Sequence, residues 1–92
     1  MTPQTVADIT PNGAAVAIGA TGIRATVIQL TATGTTCRWG DSNVGAARGQ
    51  KLPAGVPVTL PRAEFAQGYY DLGKVYVYAG SGSDSVSVSY SV

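Results

Sequence analysis

The C-terminal part of the chain carries the clearest alternation of apolar and polar residues. After the loop at residues 80–84, every second position of residues 86–92 is valine or tyrosine, and serines fill the positions between them. A period of two predicts a β-strand with one buried and one solvent-facing side. Because a second alternating run precedes the Gly/Ser/Asp loop, the pattern predicts a β-hairpin.

The run before that loop has no plainly polar side. Val75 and Val77 point one way, and Tyr76 and Tyr78 point the other. We therefore expect the protein's own core to cover one side, and a second layer or a neighbouring subunit to cover the other. Which pair faces the valines of the last strand stays open, because a slip of one residue exchanges the two faces of a strand.

Shorter strand patterns precede this region, at residues 14–18, 23–31, 35–39 and 56–60. Within residues 23–31 the apolar positions change parity after Val27, which indicates a bulge or burial on both faces. Pro57 places its strand at a sheet edge, because proline donates no backbone hydrogen bond. Residues 40–55 predict short strand fragments and turns, and residues 62–66 favour a single helical turn.

These elements predict an all-β protein, either a small antiparallel β-sandwich or a jelly-roll-like barrel of about seven or eight short strands. The chain has 92 residues, which is the size of one small domain. Residues 1–13 contain two prolines and the turn pair Asn12-Gly13, and they predict an N-terminal arm or edge segment. Residues 14–92 form the single β-sandwich domain.

Composition suggests a surface that partners cover. Charged residues make up 12% of the chain, about half of the ~25% that is typical of soluble domains. The net charge is +1 with scattered basic residues, so we expect no nucleic-acid partner. No apolar run approaches the ~20 residues that span a membrane, and no membrane partner is expected. The absence of a signal-peptide pattern and of any cysteine pair favours synthesis in the cytoplasm.

Candidate chemistry is sparse. The chain has no histidine, the commonest general base and metal ligand. Asp41 and Asp71 are the two carboxylates that we considered as a pair, but both lie beside glycines at strand ends, where Asp normally stabilises turns. Cys37 lies in an apparent strand without a histidine to activate it, which predicts a buried small side chain. We therefore expect no catalytic residue, no metal site, no cofactor and no enzyme activity.

Aromatic residues are the better candidates for function. For Trp39, Tyr76, Tyr78 and Tyr90, core filling and partner contact both stay open. Two further tyrosines, at positions 69 and 70, precede a turn, which favours the surface or an interface. Arg48 is either a partner contact or a solvated loop residue. The candidate interface residues are Arg48, Tyr69, Tyr70, Val75, Tyr76, Val77 and Tyr78.

Two segments resemble those of small virion structural proteins of tailed bacteriophages. The first is WGDSNVGAARG at residues 39–49, followed by LPAG at residues 52–55 and TLP at residues 59–61. The second is YDLGKVYVY at residues 70–78, and the whole resemblance covers roughly residues 36–90. It implies a compact β-sandwich that decorates the head or sits at the base of a head fibre or tail part. It implies neither enzyme activity nor a cofactor.

The first functional hypothesis is a capsid decoration (cement) protein. Many copies would bind the outer capsid surface of the virion and bridge neighbouring subunits of the major capsid protein. Self-association is expected as well, with a trimer favoured by analogy with the family. The alternative is a fibre-base or tail-associated adaptor, or a receptor- or carbohydrate-binding module of the virion. Copy number distinguishes them, because decoration requires hundreds of copies per particle.

Overall fold

The computed structural model describes residues 3–60 and 70–91, and short β-strands dominate both ranges. The strands are β1 Pro3–Ile9, β2 Val16–Ala17, β3 Arg24–Ala25, β4 Val27–Ala32, β5 Cys37–Gly40, β6 Gln50–Lys51, β7 Val58–Thr59, β8 Tyr70–Asp71, β9 Tyr76–Ala79 and β10 Val86–Ser91. A 3₁₀ helix, Leu72–Lys74, precedes β9. The predicted helical turn at residues 62–66 lies outside the described residues.

The strands form two four-stranded sheets and one small pair. The first sheet has the order β1-β10-β4-β7, the second has the order β2-β9-β5-β6, and β3 pairs with β8. All of these neighbours are antiparallel. The fold is thus the predicted small antiparallel β-sandwich. Strands number ten within the described residues, more than expected, because half of them are only two residues long.

The core lies between the two sheets. Strand β4, and β10 from Val86 to Ser89, alternate between buried and more exposed positions, as a strand with one side against a core must. The first sheet contributes the buried residues Ile28, Leu30, Ala32, Val86 and Val88, and the second contributes Cys37, Val77 and Ala79. Loop and short-strand residues close the layer, including Ile18, Leu52, Leu60 and Leu72.

The predicted C-terminal hairpin is wrong. Strands β9 and β10 do not pair with each other, because each already has a neighbour on both edges: β2 and β5 for β9, β1 and β4 for β10. The link at residues 80–85 therefore crosses from one sheet to the other. The apolar sides of β9 and β10 still meet, but across the sandwich core rather than side by side in one sheet.

A second crossing link, residues 33–36 between β4 and β5, lies against this one. Thr33 N–H donates to the Ser85 carbonyl (3.0 Å), and Ser85 N–H donates to the Thr33 hydroxyl (2.8 Å). The Asp84 carboxylate accepts from both the backbone N–H and the hydroxyl of Thr36. Gly34 packs so closely on Asp84 that a Cβ atom would overlap the carboxylate. The two links form one hydrogen-bonded unit, which we call the double crossing.

The parity change in residues 23–31 marks a change of sheet. The single strand predicted there is two strands, since β3 ends at Ala25 and β4 begins at Val27. Between them, Thr26 donates its N–H to the Ser91 carbonyl (2.9 Å). The cause is therefore neither a bulge nor burial on both faces, because β3 pairs with β8 while β4 joins the first sheet.

The edges of the first sheet follow from local sequence. Strand β7, directly after Pro57, has β4 as its one partner among the described strands, as predicted for a proline-flanked edge. Strand β1 forms the opposite edge, and its register against β10 shifts between Val6 and Ile9. Residues 3–9 are therefore an edge strand. Within the described ranges, no helix has the length and apolarity needed to cross a bilayer.

Candidate functional site

Two of the candidate interface residues belong to the core. Val77 has an exposed fraction of 0% and Val75 of 6%, so neither offers a surface to a partner. The prediction that Val75 and Val77 belong to an interface is therefore wrong, because the side of β9 that carries Val77 and Ala79 faces the first sheet. Tyr76 and Tyr78 occupy the opposite, outer side and are half-buried.

The outer side of the second sheet carries two tyrosines and two cations. Residues directly opposite each other in antiparallel strands share a face. Arg38 is opposite Tyr78 on one side and Lys51 on the other, so the three side chains form one row across β9, β5 and β6. Tyr76 lies in the next row of the same face. We call these four residues, Arg38, Lys51, Tyr76 and Tyr78, the tyrosine face.

Small neighbours surround Tyr76. Its partners in the sheet are Ala17 on β2 and Gly40 on β5. Neither of these side chains is large enough to cover a phenol ring. On the β5 side, Val44 of the following loop lies against Gly40, and the Tyr76 side chain is left partly exposed.

The charged positions of the tyrosine face are both cationic. The Arg38 guanidinium donates from Nη1 to the Gly49 carbonyl (3.0 Å), which ties its position to the loop after β5. Lys51 is exposed, and its ammonium forms no ion pair with a described residue. The face thus combines aromatic surface with positive charge, which suits an acidic or carbonyl-rich protein surface.

Trp39 marks a second surface, on the other side of the same strand. It is opposite Val77 and packs partly against the core, and the residue borders two open grooves. One groove, of about 410 Å³, is also lined by Tyr70, Asp71, Lys74 and Val75. The other, of about 370 Å³, is lined by Asn43, Arg48, Gly49 and Gln50. Gly40 and Asp41 line both, and we call the two together the Trp39 groove.

The two carboxylates that line the Trp39 groove, Asp41 and Asp71, stabilise turns, as predicted. Asp71 Oδ1 accepts from the N–H of Gly73 (2.9 Å) and from that of Gly22 (3.1 Å). Asp41 Oδ1 accepts from the N–H of Asn43 two residues later (2.9 Å). These bonds fix the groove walls. The Asp71 carboxylate thus binds both its own turn and the distant turn at Gly22, whereas the Asp41 carboxylate has one described partner.

Tyr70 closes one wall of the Trp39 groove. It is half-buried and packs against the core. Desolvation by this burial raises the pKa of its phenol. The hydroxyl is therefore a neutral hydrogen-bonding group at neutral pH.

Cys37 is a buried core residue, as predicted. Its exposed fraction is 1%, and its Sγ lies 3.9 Å from the Ser85 carbonyl oxygen. Burial and, to a lesser degree, the charge of Asp84 raise the pKa of the thiol, against a smaller lowering by a backbone hydrogen bond at Gly34. A protonated, enclosed thiol is a poor nucleophile. Among the described residues, no group of three or more His, Cys, Asp or Glu side chains is placed to hold a metal ion.

The structure thus divides the candidate residues between two surfaces. Tyr76 and Tyr78 belong to the tyrosine face, whereas Tyr70 and Arg48 lie on opposite sides of Trp39. Tyr69 lies outside the described residues. Sequence reasoning missed Arg38, Lys51 and Lys74, because only the pairing of strands shows that the first two share a face with Tyr78.

Comparison of the chain with protein-family models, with curated proteins and with solved structures finds no match.

Proposed function

We propose that this protein is a capsid decoration (cement) protein that binds the outer surface of an assembled bacteriophage head and bridges neighbouring major capsid protein subunits. The observation that carries the proposal is the tyrosine face. Two half-buried tyrosines on a central strand adjoin Arg38 and Lys51, on the outer side of the second sheet, and part of each tyrosine is accessible. The resemblance of residues 36–90 to small phage virion proteins supplies the biological setting.

The tyrosine face has the composition of a protein contact. Tyrosine and arginine are enriched among residues that dominate binding energy, and truncating such an anchor typically costs ~2 kcal/mol or more. Tyr76 and Tyr78 present rigid apolar area with a polar tip, which suits a contact that is dry at its centre and wet at its rim. Lys51 at the margin would accelerate encounter with an acidic capsid surface.

Cementing follows from selective binding to the assembled state. The joint between two capsid subunits exists only in the closed shell, so a protein that binds across the joint binds the shell and not the free subunits. Its binding free energy is then added to the stability of the shell by mass action. Expansion or opening of the shell would first require the tyrosine faces to be released.

Several copies would act together, and we favour a trimer. The family resemblance supports self-association, as does a low-charge chain of 92 residues, whose own core is small. Sedimentation equilibrium of the purified protein over a range of concentrations measures this directly. A monomer that persists at high concentration, both free and in the presence of shells, would contradict self-association.

The decisive experiment compares shells with and without the protein. Shells that lack it should assemble normally, but they should release their contents at lower temperature and under milder osmotic shock. Adding purified protein back should restore resistance, with hundreds of copies bound per particle. Equal resistance of the two kinds of shell would exclude cementing, and a low copy number would favour the fibre-base or tail-associated alternative.

A further inference from the structure

The Trp39 groove differs in chemistry from the tyrosine face. Its centre is the partly buried Trp39, which borders two open grooves of about 410 and about 370 Å³. Both volumes lie within the range of about 300–1,000 Å³ that is usual for small-ligand sites. A flat indole surface accepts the C–H face of a pyranose ring, because both surfaces are apolar and the ring hydroxyls remain free at its edge.

Uncommitted polar groups surround this indole. Lys74 and Arg48 lie in opposite grooves, and within the described residues neither side chain has a hydrogen bond or an ion pair. Asn43 and Gln50 add amides that both donate and accept. Asp41 lines both grooves, and its carboxylate accepts from a single N–H among the described residues, so the carboxylate keeps acceptor capacity.

Charge around Trp39 is balanced. Two carboxylates, Asp41 and Asp71, line the groove together with the two cations. No single sign of charge dominates, so the groove offers many hydrogen bonds without a net field that would select an ion. This is the complement of a ligand that is rich in hydroxyls and uncharged.

We propose that the Trp39 groove binds an uncharged oligosaccharide, with one sugar ring against Trp39 and its neighbours in the two flanking grooves. Asp41 and the amide side chains bind vicinal hydroxyls, and Lys74 and Arg48 donate to hydroxyl or ring oxygens at the two ends. The site adjoins the tyrosine face at Gly40 but centres on Trp39, on the other side of β5. A decorated head would thus gain adhesion to a polysaccharide through side chains other than Tyr76 and Tyr78.

The chain contains a single tryptophan, so tryptophan emission, excited selectively over the five tyrosines, reports on this groove. Purified protein is titrated with cellohexaose, maltohexaose and chitohexaose, and with hexagalacturonate as an acidic comparison. At least one neutral hexasaccharide should produce a saturable change in Trp39 emission. Asp41→Asn keeps an acceptor for the Asn43 N–H, and Lys74→Ala removes only an exposed side chain. Each should weaken binding by about tenfold, which is the loss expected for a hydrogen bond to a charged group.

Lys51→Ala, on the tyrosine face, is the control and should leave sugar binding unchanged. Absence of a saturable change with all neutral sugars up to about 10 mM, below which even a weak specific site would fill, overturns the proposal. So does preferential binding of hexagalacturonate. If the groove variants instead weaken binding to shells while no sugar binds, the groove is part of the protein contact. Shell binding can fail or succeed independently of this result.

Discussion

The two outer faces of the sandwich are built on similar four-stranded sheets but differ in chemistry. The outer side of the first sheet carries mostly uncharged polar side chains, with the exposed Val27 at one end. The polar residues that share this face through cross-strand pairing are Thr5, Gln29, Thr31, Thr59, Ser87 and Ser89. We call this the hydroxyl face. The tyrosine face has large aromatic and cationic side chains instead. Small hydroxyls remain hydrated and bury little apolar area, so this difference separates a side suited to solvent from a side suited to a partner.

The strongest way to break this comparison is to remove the aromatic surface. The double variant Tyr76→Thr/Tyr78→Thr keeps good strand formers at outward positions. Loss of two anchors at ~2 kcal/mol each should lower affinity for shells by about a thousandfold. Co-sedimentation with shells that lack the protein measures this. Gln29→Thr/Ser89→Thr, a matched pair on the hydroxyl face, should bind normally, and equal loss in both variants would refute the assignment of faces.

Charge provides a weaker test of the same comparison. Lys51→Gln and Gln29→Glu each lower the net charge by one, on opposite faces. Lys51→Gln should reduce shell affinity by about fivefold at low salt, because rim charges contribute roughly 1 kcal/mol or less. The difference should shrink as ionic strength rises. If Gln29→Glu has the larger effect, the hydroxyl face is the one that meets the capsid.

The core between the two sheets should make the stability of the protein depend on pH. Burial raises the pKa of the Cys37 thiol above its ordinary value of 9.0, so the folded protein holds this proton more tightly than the unfolded chain does. The resulting stability is complete below that value and is lost as pH rises above it. Urea unfolding from pH 7 to pH 10 should show a steeper decline for wild type than for Cys37→Ala. Parallel curves would contradict a buried, protonated thiol.

The smallest effect is expected on the hydroxyl face itself. Ser87 donates its hydroxyl to Asp8 (3.1 Å), a contact between β10 and the edge strand β1. Ser87→Ala should lower the free energy of unfolding by about 0.5–1 kcal/mol, the usual range for an exposed hydrogen bond, and should leave shell affinity unchanged. Chemical denaturation and co-sedimentation measure the two quantities. A clear loss of shell binding in this variant would contradict a purely solvent-facing role.

Local sequence predicted the strands better than their partners. The alternation of apolar and polar residues in β4 and β10 correctly predicted which side of each strand is buried. Pro57 correctly predicted that β7 is an edge strand. The C-terminal hairpin failed because periodicity shows that a strand has an apolar side, but not whether the next strand joins the same sheet or the opposite one. The change of parity near Val27 could have indicated that the chain passes from one sheet to another. At this point β3, which pairs with β8, ends, and β4, which belongs to the first sheet, begins.

The candidate site was less accessible to prediction for a related reason. The row of Tyr78, Arg38 and Lys51 depends on the register of β9 against β5 and of β5 against β6. These residues lie far apart in sequence, and no local pattern connects them. The Trp39 groove depends in addition on how the loop at residues 41–49 and the 3₁₀ helix Leu72–Lys74 approach the indole, which composition alone does not specify.

The double crossing has a consequence for how the molecule melts. Because β4 leads into β5 and β9 leads into β10 across the core, only one pairing among the described strands, β5 with β6, joins strands that are consecutive in sequence. Neither sheet can therefore form from local hairpins and persist while the other is unfolded. Opening should be a single cooperative event, and amide hydrogens in both sheets should exchange at the same limiting rate. A shell bound to the tyrosine face would then slow exchange in β10, on the far side of the molecule, as much as in β9 beneath the contact.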